Sequence, residues 1–285
     1  MRAAGFEDLA RAPWYTYTVH DDAIAETSQP TAPLSSSALS SSPSPTRSPL
    51  QRFIAGRPSV YPRHSFAGRS TSGFIAWDLR DKKLVYLKDT WRKSDGDMTA
   101  KEGDNYTRLN ERNIPHVPTR RCAGDVYDDS HSTSPQQTRT QEFLDAEWVC
   151  GGRKVKDVAH YTHYRLVLNE IGRPLSSFRS LKELVQSLSD AVDAHERALK
   201  DASLMHRDIS AGNVLIDDRG RGLLIDWDLS CDERCNVPSG RRWRTGTWHF
   251  MSIANLTRPG QTHIARDDLE SFLWVFLYML LRHAP

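Results

Sequence analysis

The sequence predicts an α+β protein, with strands in its first part and helices in its last part. Short β-prone apolar runs lie at residues 73–79, 84–89 and 164–170. The clearest helical periodicity begins after Ser180. A continuous apolar run at residues 272–281 indicates a buried helix, because it is too short to cross a bilayer.

The composition permits a packed core and argues against two classes of partner. The chain has 285 residues, of which 38% are hydrophobic, enough for one large domain or two small ones. The mean hydropathy of −0.59 is low for a compact domain, so we expect part of the chain to lie outside the core. The net charge is +2 with acids and bases interspersed, which favours neither a nucleic-acid nor a membrane surface.

The cysteines and the amino terminus indicate an intracellular protein, cytoplasmic or nuclear. Four cysteines are too few for a disulfide scaffold in a chain of this length, so a reducing compartment is expected. The first residues, MRAAGFEDLARAPWYTYTVHDD, contain no apolar segment typical of a secretory signal.

Residues 1–51 are predicted to be an extension that precedes the folded part. Within it, residues 27–49 are rich in Ser, Pro, Thr and Ala. Such a composition cannot bury enough apolar surface to offset the entropy of ordering, so disorder is expected there. Ordered structure is expected from near Arg52.

A hairpin, a helix and a further strand are predicted after Arg52. The runs at 73–79 and 84–89 are joined by LRDKK, which has the composition of a turn. The elements that follow are a helix at 99–111, a polar loop or disordered insert at 120–140, and a strand at 164–170.

A long amphipathic helix is predicted to begin at Ser180, where Ser180 and Glu183 form a capping-box pattern. Apolar residues then recur at helical spacing, namely Leu181, Leu184, Val185, Leu188, Val192 and Leu199. This helix leads into LMHRDISAGNVLI, residues 204–216. The stretch NVLIDDRGRGLLIDWD then predicts a second hairpin around the turn DDRGRG, and a last helix is expected from near Ala265.

Three oxygen-bearing side chains flank this second hairpin and are therefore expected to converge. Asp208 and Asn213 lie in the loop before it, and Asp226 follows its second strand. Mg²⁺ prefers oxygen ligands, usually one or two carboxylates completed by substrate phosphates. A carboxylate that does not bind the metal could orient a hydroxyl nucleophile. A magnesium site and such a carboxylate are together the groups that phosphoryl transfer requires.

These residues resemble a known family. HRDISAGN together with IDWD is similar to the catalytic and magnesium-binding loops of eukaryotic protein kinases. The resemblance is closest to the fungal-specific protein-kinase-like family, and it extends from about Phe66 to the end of the chain. It is carried by the segments YLKDTWR, EIGRPLSSF, KELVQSLSDAVDAHERAL, LMHRDISAGNVLI and GTWHFMS.

The resemblance implies a two-lobed protein-kinase-like fold. Residues 52–170 would be the small β-rich N-lobe, with the polar insert at 120–140. Residues 171–285 would be the mostly helical C-lobe. We expect this lobe to be incomplete, because the chain ends one helix into its second half.

The resemblance also implies the roles of the loop residues, with ATP and Mg²⁺ as cofactors. Asp208 would be the catalytic base, and Asn213 and Asp226 would hold Mg²⁺. Arg207 would grip the activation segment or a phosphate on it. Lys88 would pair with the α- and β-phosphates of ATP.

Further site residues follow from the same resemblance. Glu102 would be the helix partner of Lys88, and the glycine loop would run from Gly68 to Gly73. Asn169 and Glu170 lie in LNEIG, which would be the hinge that binds adenine through its backbone.

The last implied positions lie near the end of the chain. Gly246 and Thr247 would belong to the segment that presents the substrate hydroxyl, with Thr247 hydrogen-bonded near Asp208. Asp267 would brace the backbone of the catalytic loop from the start of the last helix.

Three functions remain open at this stage. The first is an ATP-dependent kinase that phosphorylates Ser or Thr hydroxyls of a protein substrate. The second is a pseudokinase, a binding module without turnover, since Ser210 stands where protein-serine kinases carry a lysine. The third is a small-molecule kinase of the aminoglycoside or choline type, which shares the Asp…Asn…Asp pattern. The oligomeric state is not predicted.

Overall fold

The computed structural model describes residues 13–22, 50–61, 69–94, 101–128, 133–143, 146, 159–232, 246–258 and 261–283. The chain divides into two compact units. The first is drawn from residues 1–99 and 121–169, and the second from residues 100–120 and 170–285. The expected disordered stretch at 27–49 lies outside the described residues.

The described part of the first unit is built on a six-stranded sheet with the order β1-β2-β3-β4-β6-β5. Its strands are β1 (Tyr15–Val19), β2 (Gln51–Ala55), β3 (Ser72–Asp78), β4 (Lys83–Lys93), β5 (Arg120–Asp125) and β6 (Tyr161–Leu168). The predicted hairpin is confirmed, because β3 and β4 pair antiparallel from Ser72↔Asp89 to Asp78↔Lys83. One face of the sheet buries the core residues Val19, Phe53, Ala55, Phe74, Ala76, Val85, Leu87, Cys122 and Val167.

The tip of this hairpin is closed by a buried carboxylate. Asp78 Oδ1 accepts hydrogen bonds from the backbone N–H groups of Arg80 (2.8 Å) and Asp81 (3.3 Å). Asp78 Oδ2 accepts from Arg121 Nε at 3.1 Å, which ties the turn to β5. A buried carboxylate is tolerated here because all of these donors converge on it.

Ordered structure begins earlier than predicted. Residues 15–19 form β1, which pairs antiparallel with β2 from Tyr15↔Ala55 to Val19↔Gln51. The sequence YTYTV combines aromatic and β-branched residues, a composition typical of strands. The segment after β1 lies against β5, since a Cβ on Gly124 would be 2.0 Å from the carbonyl oxygen of His20. The sheet therefore curls, and the amino-terminal strand bridges its two edges.

The expectation of a polar loop or insert at 120–140 is wrong at its start, whereas the described residues at 126–128 and 133–139 form a loop with isolated bridges. Residues 120–125 form β5, in which Cys122, Ala123 and Gly124 are buried, because their small side chains fit against the curled sheet. Residues further along dock on β6, where the N–H of His163 donates to the carbonyl of Gln136 at 2.9 Å.

The second unit contains the helices α1 (Glu102–Glu111), α2 (Leu181–Ala202), α3 (Ile253–Thr257) and α4 (Ala265–His283). Its short strands are β7 (Arg173–Pro174), β8 (Leu204–Met205), β9 (Val214–Ile216), β10 (Gly222–Leu224) and β11 (Cys231–Asp232). They form two small sheets, ordered β10-β9-β7 and β11-β8. The second predicted hairpin is confirmed by the antiparallel pairing of β9 with β10. None of the helices in the described part of the chain has the length and hydrophobicity that a bilayer span requires.

Helix α2 begins where the capping pattern predicted, but only half of the box forms. Ser180 Oγ accepts from the N–H of Glu183 at 3.2 Å. The Glu183 carboxylate accepts instead from the N–H of Arg179 at 2.6 Å and from the Arg173 guanidinium.

Asp190 anchors the second hairpin to α2. Its two oxygens accept from Arg221 Nη2 (2.7 Å) and Nε (2.8 Å), and Oδ2 also accepts from the N–H of Gly222 at 2.9 Å. Burial alone would raise the pKa of Asp190. The hydrogen bonds from Arg221 and Gly222 outweigh it and lower the pKa to about 2.

Replacing Asp190 with Asn should lower the free energy of unfolding by about 2 kcal/mol at pH 7, because the amide cannot accept all three bonds. The pKa of Asp190 is lower in the folded state, so its ionisation stabilises the fold above about pH 4. This contribution is lost as the pH falls towards 2. Urea unfolding of both proteins between pH 6 and pH 3 would measure it. A difference between wild type and variant that does not shrink on acidification would contradict this linkage.

Candidate functional site

The loop at 206–213 is linked to the end of the second hairpin by a buried histidine. His206 Nε2 donates to the carbonyl of Ile225 at 2.9 Å, and His206 Nδ1 accepts from the N–H of Asp208 at 3.2 Å. Burial lowers the pKa of His206, which favours the neutral ring that this pattern requires. His206 therefore joins two backbone segments, and its ring nitrogens are both engaged.

Asn213 closes the same loop. Its Nδ2 donates to the carbonyl of Asp208 at 2.7 Å, and its own carbonyl accepts from the N–H of Ile225 at 2.9 Å. The structure thus brings the backbone of Asp208, Asn213 and the residue before Asp226 together, as the sequence predicted from their spacing.

Asn213 and Asp226 fit the requirements of a magnesium site. The amide nitrogen of Asn213 is used within the loop, which leaves its oxygen as a metal ligand. One carboxylate and one amide oxygen suit Mg²⁺, which usually keeps waters and substrate phosphates as its other ligands. Within the described ranges, no group of three or more His, Cys, Asp or Glu residues could hold a metal by itself.

Helix α1 contacts the DWD segment, residues 226–228, through two hydrogen bonds. Asn105 Nδ2 donates to the carbonyl of Trp227 at 2.8 Å, and the N–H of Asp226 donates to Tyr106 Oη at 3.2 Å. Asp226 has a left-handed backbone, with φ of 65°. Such a conformation costs about 1–3 kcal/mol in a residue other than glycine, and it persists where the surroundings enforce it.

The tryptophan and second aspartate of DWD are accommodated without strain. Trp227 is fully buried, donates from Nε1 to the carbonyl of Leu224 at 3.1 Å, and meets the His206 ring at 4.7 Å between centroids. Asp228 replaces the glycine found in protein kinases. It lies in a 3₁₀ turn, residues 227–229, and is not among the positive-φ residues of the described chain. The glycine is therefore not needed for the backbone seen here.

Asp208 is held by the segment that contains Gly246 and Thr247. Asp208 Oδ1 accepts from both the N–H (2.8 Å) and the Oγ1 (2.9 Å) of Thr247, so the expected hydrogen bond is present. Gly246 has φ of 112°, and a Cβ there would lie 3.2 Å from the carbonyl oxygen of Arg207. This close approach explains the glycine.

The residue that braces the loop backbone is Asp268, and the prediction of Asp267 was wrong by one position. Asp268 Oδ2 accepts from the N–H of Arg207 at 3.0 Å and from His195 Nε2 at 2.8 Å, and Oδ1 accepts from His263 Nε2 at 2.7 Å. Burial would raise the pKa of Asp268, but the two histidines hold it well below its usual range.

Asp267 has a different task at the start of α4. Its Oδ1 accepts from Ser252 Oγ at 2.6 Å, and its Oδ2 accepts from the N–H of Ile264 at 2.9 Å. It therefore joins the first turn of α4 to the start of α3. Both acids of the DD pair are buried, so sequence position alone did not separate their roles.

Arg207 lies at the turn of the loop with a left-handed backbone, φ 69°. Its carbonyl faces Gly246 and its N–H is fixed by Asp268. The stretch expected to contact its side chain, residues 233–245, lies outside the described residues. The predicted grip on the activation segment stays a prediction.

In the first unit, Lys88 lies on β4 with 7% of its surface exposed, opposite Gly73 in the strand register. The Gly73 N–H donates to the carbonyl of Val60 at 3.0 Å, so it is engaged within the sheet. The phosphate-binding role of the loop from Gly68 to Gly73 stays a prediction. A Cβ on Gly73 would lie 2.2 Å from Tyr86 Oη, which explains the glycine. Gly68 lies outside the described residues.

The predicted hinge residues lie where the chain passes from the first unit to the second, between Asn169 and Glu170. Asn169 Oδ1 accepts from Lys83 Nζ at 2.9 Å. The Glu170 carboxylate accepts from the N–H (2.5 Å) and Oγ1 (2.9 Å) of Thr119. Glu102 is the first residue of α1 and is buried.

The α+β fold, with its curled sheet and the loop that holds Asp208 and Asn213, is that of a protein-kinase-like protein. The family model described as fungal protein kinase matches residues 46–280, and the chain belongs to this family. A search of curated proteins found no match.

Proposed function

We propose that this protein is an ATP-dependent protein kinase that transfers the γ-phosphoryl group to Ser or Thr hydroxyls of a protein substrate. The observation that carries the proposal is the placement of Asp208. Its Oδ1 accepts both hydrogen bonds from Thr247, which leaves Oδ2 to accept the proton of a substrate hydroxyl. The first unit, drawn from residues 1–99 and 121–169, would be the N-lobe, and the second unit would be the C-lobe.

The other roles follow from charge and ligand type. Asn213 and Asp226 would hold Mg²⁺, and Lys88 would pair with the α- and β-phosphates. When bound, Mg²⁺·ATP supplies the phosphoryl group and neutralises the charge that develops on it. Asn169 and Glu170 would meet adenine through their backbone. Positioning of this kind provides most of the rate enhancement in phosphoryl transfer.

A protein substrate is favoured over a small molecule by the segment at 246–250. Thr247 hydrogen-bonds to the proposed base, and Gly246 packs against the carbonyl of Arg207. A segment bound in this way beside the base can present a hydroxyl from an extended peptide. Phosphorylation of aminoglycosides or choline, with no transfer to peptides, would support the small-molecule alternative.

A nucleotide-binding pseudokinase is the second candidate, and Ser210 is the observation that favours it. Ser210 is buried, and its carbonyl accepts from the N–H of Asn213 at 3.1 Å. A short neutral side chain at this position provides no cation for the transferring phosphate. Nucleotide binding without phosphoryl transfer would identify this case.

The nucleotide site is tested by a thermal melt with and without Mg²⁺·ATP. Ligand at one hundred times its Kd stabilises the folded state by about 2.7 kcal/mol, so the Tm should rise. Asp226→Asn should weaken binding at least about tenfold and lose at least about half of this rise, because a metal ligand loses its charge.

Asp218→Asn is the matched control, since it makes the same change of charge at the exposed turn of the second hairpin. It should keep the full rise in Tm. An Asp226→Asn protein that is stabilised as much as the control would show that the metal site is assigned incorrectly. Radiolabelled transfer to Ser- and Thr-containing peptides then separates the kinase from the pseudokinase.

A further inference from the structure

A polar cluster lies beside Lys88 in the first unit, on the two central strands β4 and β6. Asp89 is opposite Arg165 in the strand register, and Trp91 is opposite His163. Residues 89 and 91 share a face with Val85 and Leu87, so the cluster continues the buried inner face of the sheet. Lys88 precedes Asp89 directly along β4.

His163 contacts an oxygen with each of its ring nitrogens. Nε2 lies 2.6 Å from Asp89 Oδ1, and Nδ1 lies 2.6 Å from Gln136 Oε1. The second oxygen of Asp89 accepts from Arg165 Nε at 2.8 Å. A neutral imidazole carries one N–H and one acceptor nitrogen, so it can satisfy only one of these two oxygens.

The orientation of Gln136 is fixed by a second contact. Its Nε2 donates to Asp128 Oδ1 at 2.9 Å. Rotating the Gln136 amide by 180° would place its oxygen about 2.9 Å from Asp128 Oδ1, and two acceptor oxygens at this distance repel each other. Gln136 Oε1 therefore faces His163, and a carbonyl oxygen can only accept.

The other partner, Asp89, is ionised. Arg165 Nε donates to Asp89 Oδ2 at 2.8 Å, and an arginine at this distance favours the ionised carboxylate independently of His163. A carboxylate also only accepts. Both ring nitrogens of His163 therefore donate, which requires the imidazolium form.

The surroundings suit a cation. The Trp91 ring stacks on the His163 ring with 4.8 Å between centroids and 11° between planes, a favourable arrangement for a charged ring on an aromatic face. The charged groups around it are Asp89, Arg165 and, through Gln136, Asp128. Arg165 is held in turn by the carbonyl of Thr18 at 3.0 Å and by the Tyr17 ring, 5.2 Å from its guanidinium carbon.

We propose that His163 is a positioning residue for Lys88. As an imidazolium it donates to Asp89 and Gln136 at once, and so fastens β4, next to Lys88, to β6 and to the segment at 133–138. The role of Lys88 in binding the phosphates of ATP rests on the proposed function, whereas the charge on His163 does not. Loss of the proton or of the ring would remove at least one of the two bonds and loosen β4 beside Lys88.

The charge is tested by nuclear magnetic resonance of the chain with ¹⁵N-labelled histidine at pH 7.0. Both ring nitrogens of His163, assigned by comparison with His163→Gln, should show the shifts of protonated nitrogens. A bare ring nitrogen in the folded protein would overturn the proposal, whether or not the protein transfers phosphate.

The positioning role is tested with three variants. His163→Gln removes the cation, and His163→Arg keeps a planar cation that can stack on Trp91. His160→Gln makes the same substitution as His163→Gln at an exposed site just before β6. We expect His163→Gln to raise the KM for Mg²⁺·ATP about fivefold with kcat within about twofold. His163→Arg and His160→Gln should stay close to wild type.

Amide hydrogen exchange tests the positioning role of His163 even if the chain does not transfer phosphate. The backbone N–H groups of Lys88 and Asp89 should exchange faster in His163→Gln than in the other two variants. Exchange of both amides at the wild-type rate in His163→Gln would overturn the positioning role. In a further outcome, the Lys88 and Asp89 amides exchange at the wild-type rate in His163→Arg while none of the proteins binds nucleotide. That result would reject the proposed function but would support the role of the His163 cation.

Discussion

Asp208→Asn is expected to reduce phosphoryl transfer about 10³-fold while Mg²⁺·ATP binding and the fold are retained. The amide has the shape of the carboxylate, and its oxygen can still accept both hydrogen bonds from Thr247. It cannot accept a proton from the substrate hydroxyl. The loss should therefore be confined to kcat.

Initial rates of transfer to a Ser- or Thr-containing peptide measure this effect, and the nucleotide-dependent rise in Tm checks that the site is intact. Asp218→Asn provides the control for a loss of charge in the same region of the sequence. A variant Asp208→Asn that retains more than about a tenth of the wild-type rate would rule out Asp208 as the base. A wild-type chain that binds nucleotide without transfer would select the pseudokinase.

Gly222→Ala is expected to lower the free energy of unfolding by about 3 kcal/mol or more. A Cβ at this position would lie 2.0 Å from the carbonyl oxygen of Ser187 and 2.8 Å from its Cα. Both are backbone atoms of α2, so no side chain can rotate to make room, and helix and hairpin must separate. That movement would also lengthen the hydrogen bond from the Gly222 N–H to Asp190.

Gly212→Ala is the matched control, because the nearest atom to its added Cβ is Ser210 Oγ at 3.8 Å, an ordinary contact. Urea unfolding of the two variants should show a loss for Gly222→Ala and a change of less than about 0.5 kcal/mol for Gly212→Ala. Equal stability of Gly222→Ala and wild type would mean that α2 does not pack on β10 as described.

The sequence predicted best those elements whose signals are local. The helix that begins after Ser180 has both a cap and a sustained apolar period, and both hairpins have polar turns between apolar strands. The second hairpin predicted that Asp226 returns to the loop that holds Asp208 and Asn213, since a hairpin brings the chain back to its starting end. In each case a few neighbouring residues decide the structure.

The sequence predicted poorly what depends on contacts between distant segments. Whether Asp267 or Asp268 braces the catalytic loop depends on the rotation of α4, in which successive residues point about 100° apart. The need for a glycine at position 73 depends on its pairing with Val60 and on Tyr86 across the sheet. Strand β5 was missed because RRCAGD has little β-propensity, and its position depends on contacts with distant residues such as Asp78.

Two histidines show a further limit of the same kind. His195 and His263 are far apart in the chain, yet both donate to Asp268. The contact of His195 depends on how α2 and α4 pack, whereas His263 reaches Asp268 from the segment just before α4. The only available signal was the doublet in RDDLES, which indicated that an acid was important there without saying which one.

Strand β1 shows that the folded first unit begins before the region that the family model matches. The family model begins at residue 46, whereas β1 ends at Val19, and Val19 belongs to the core of the first unit. The carbonyl of Thr18 also holds Arg165, which in turn holds the residue after Lys88. The module that folds is thus larger than the module that sequence comparison recognises. A fragment cut at the family boundary would lack β1 and with it part of the core of the first unit.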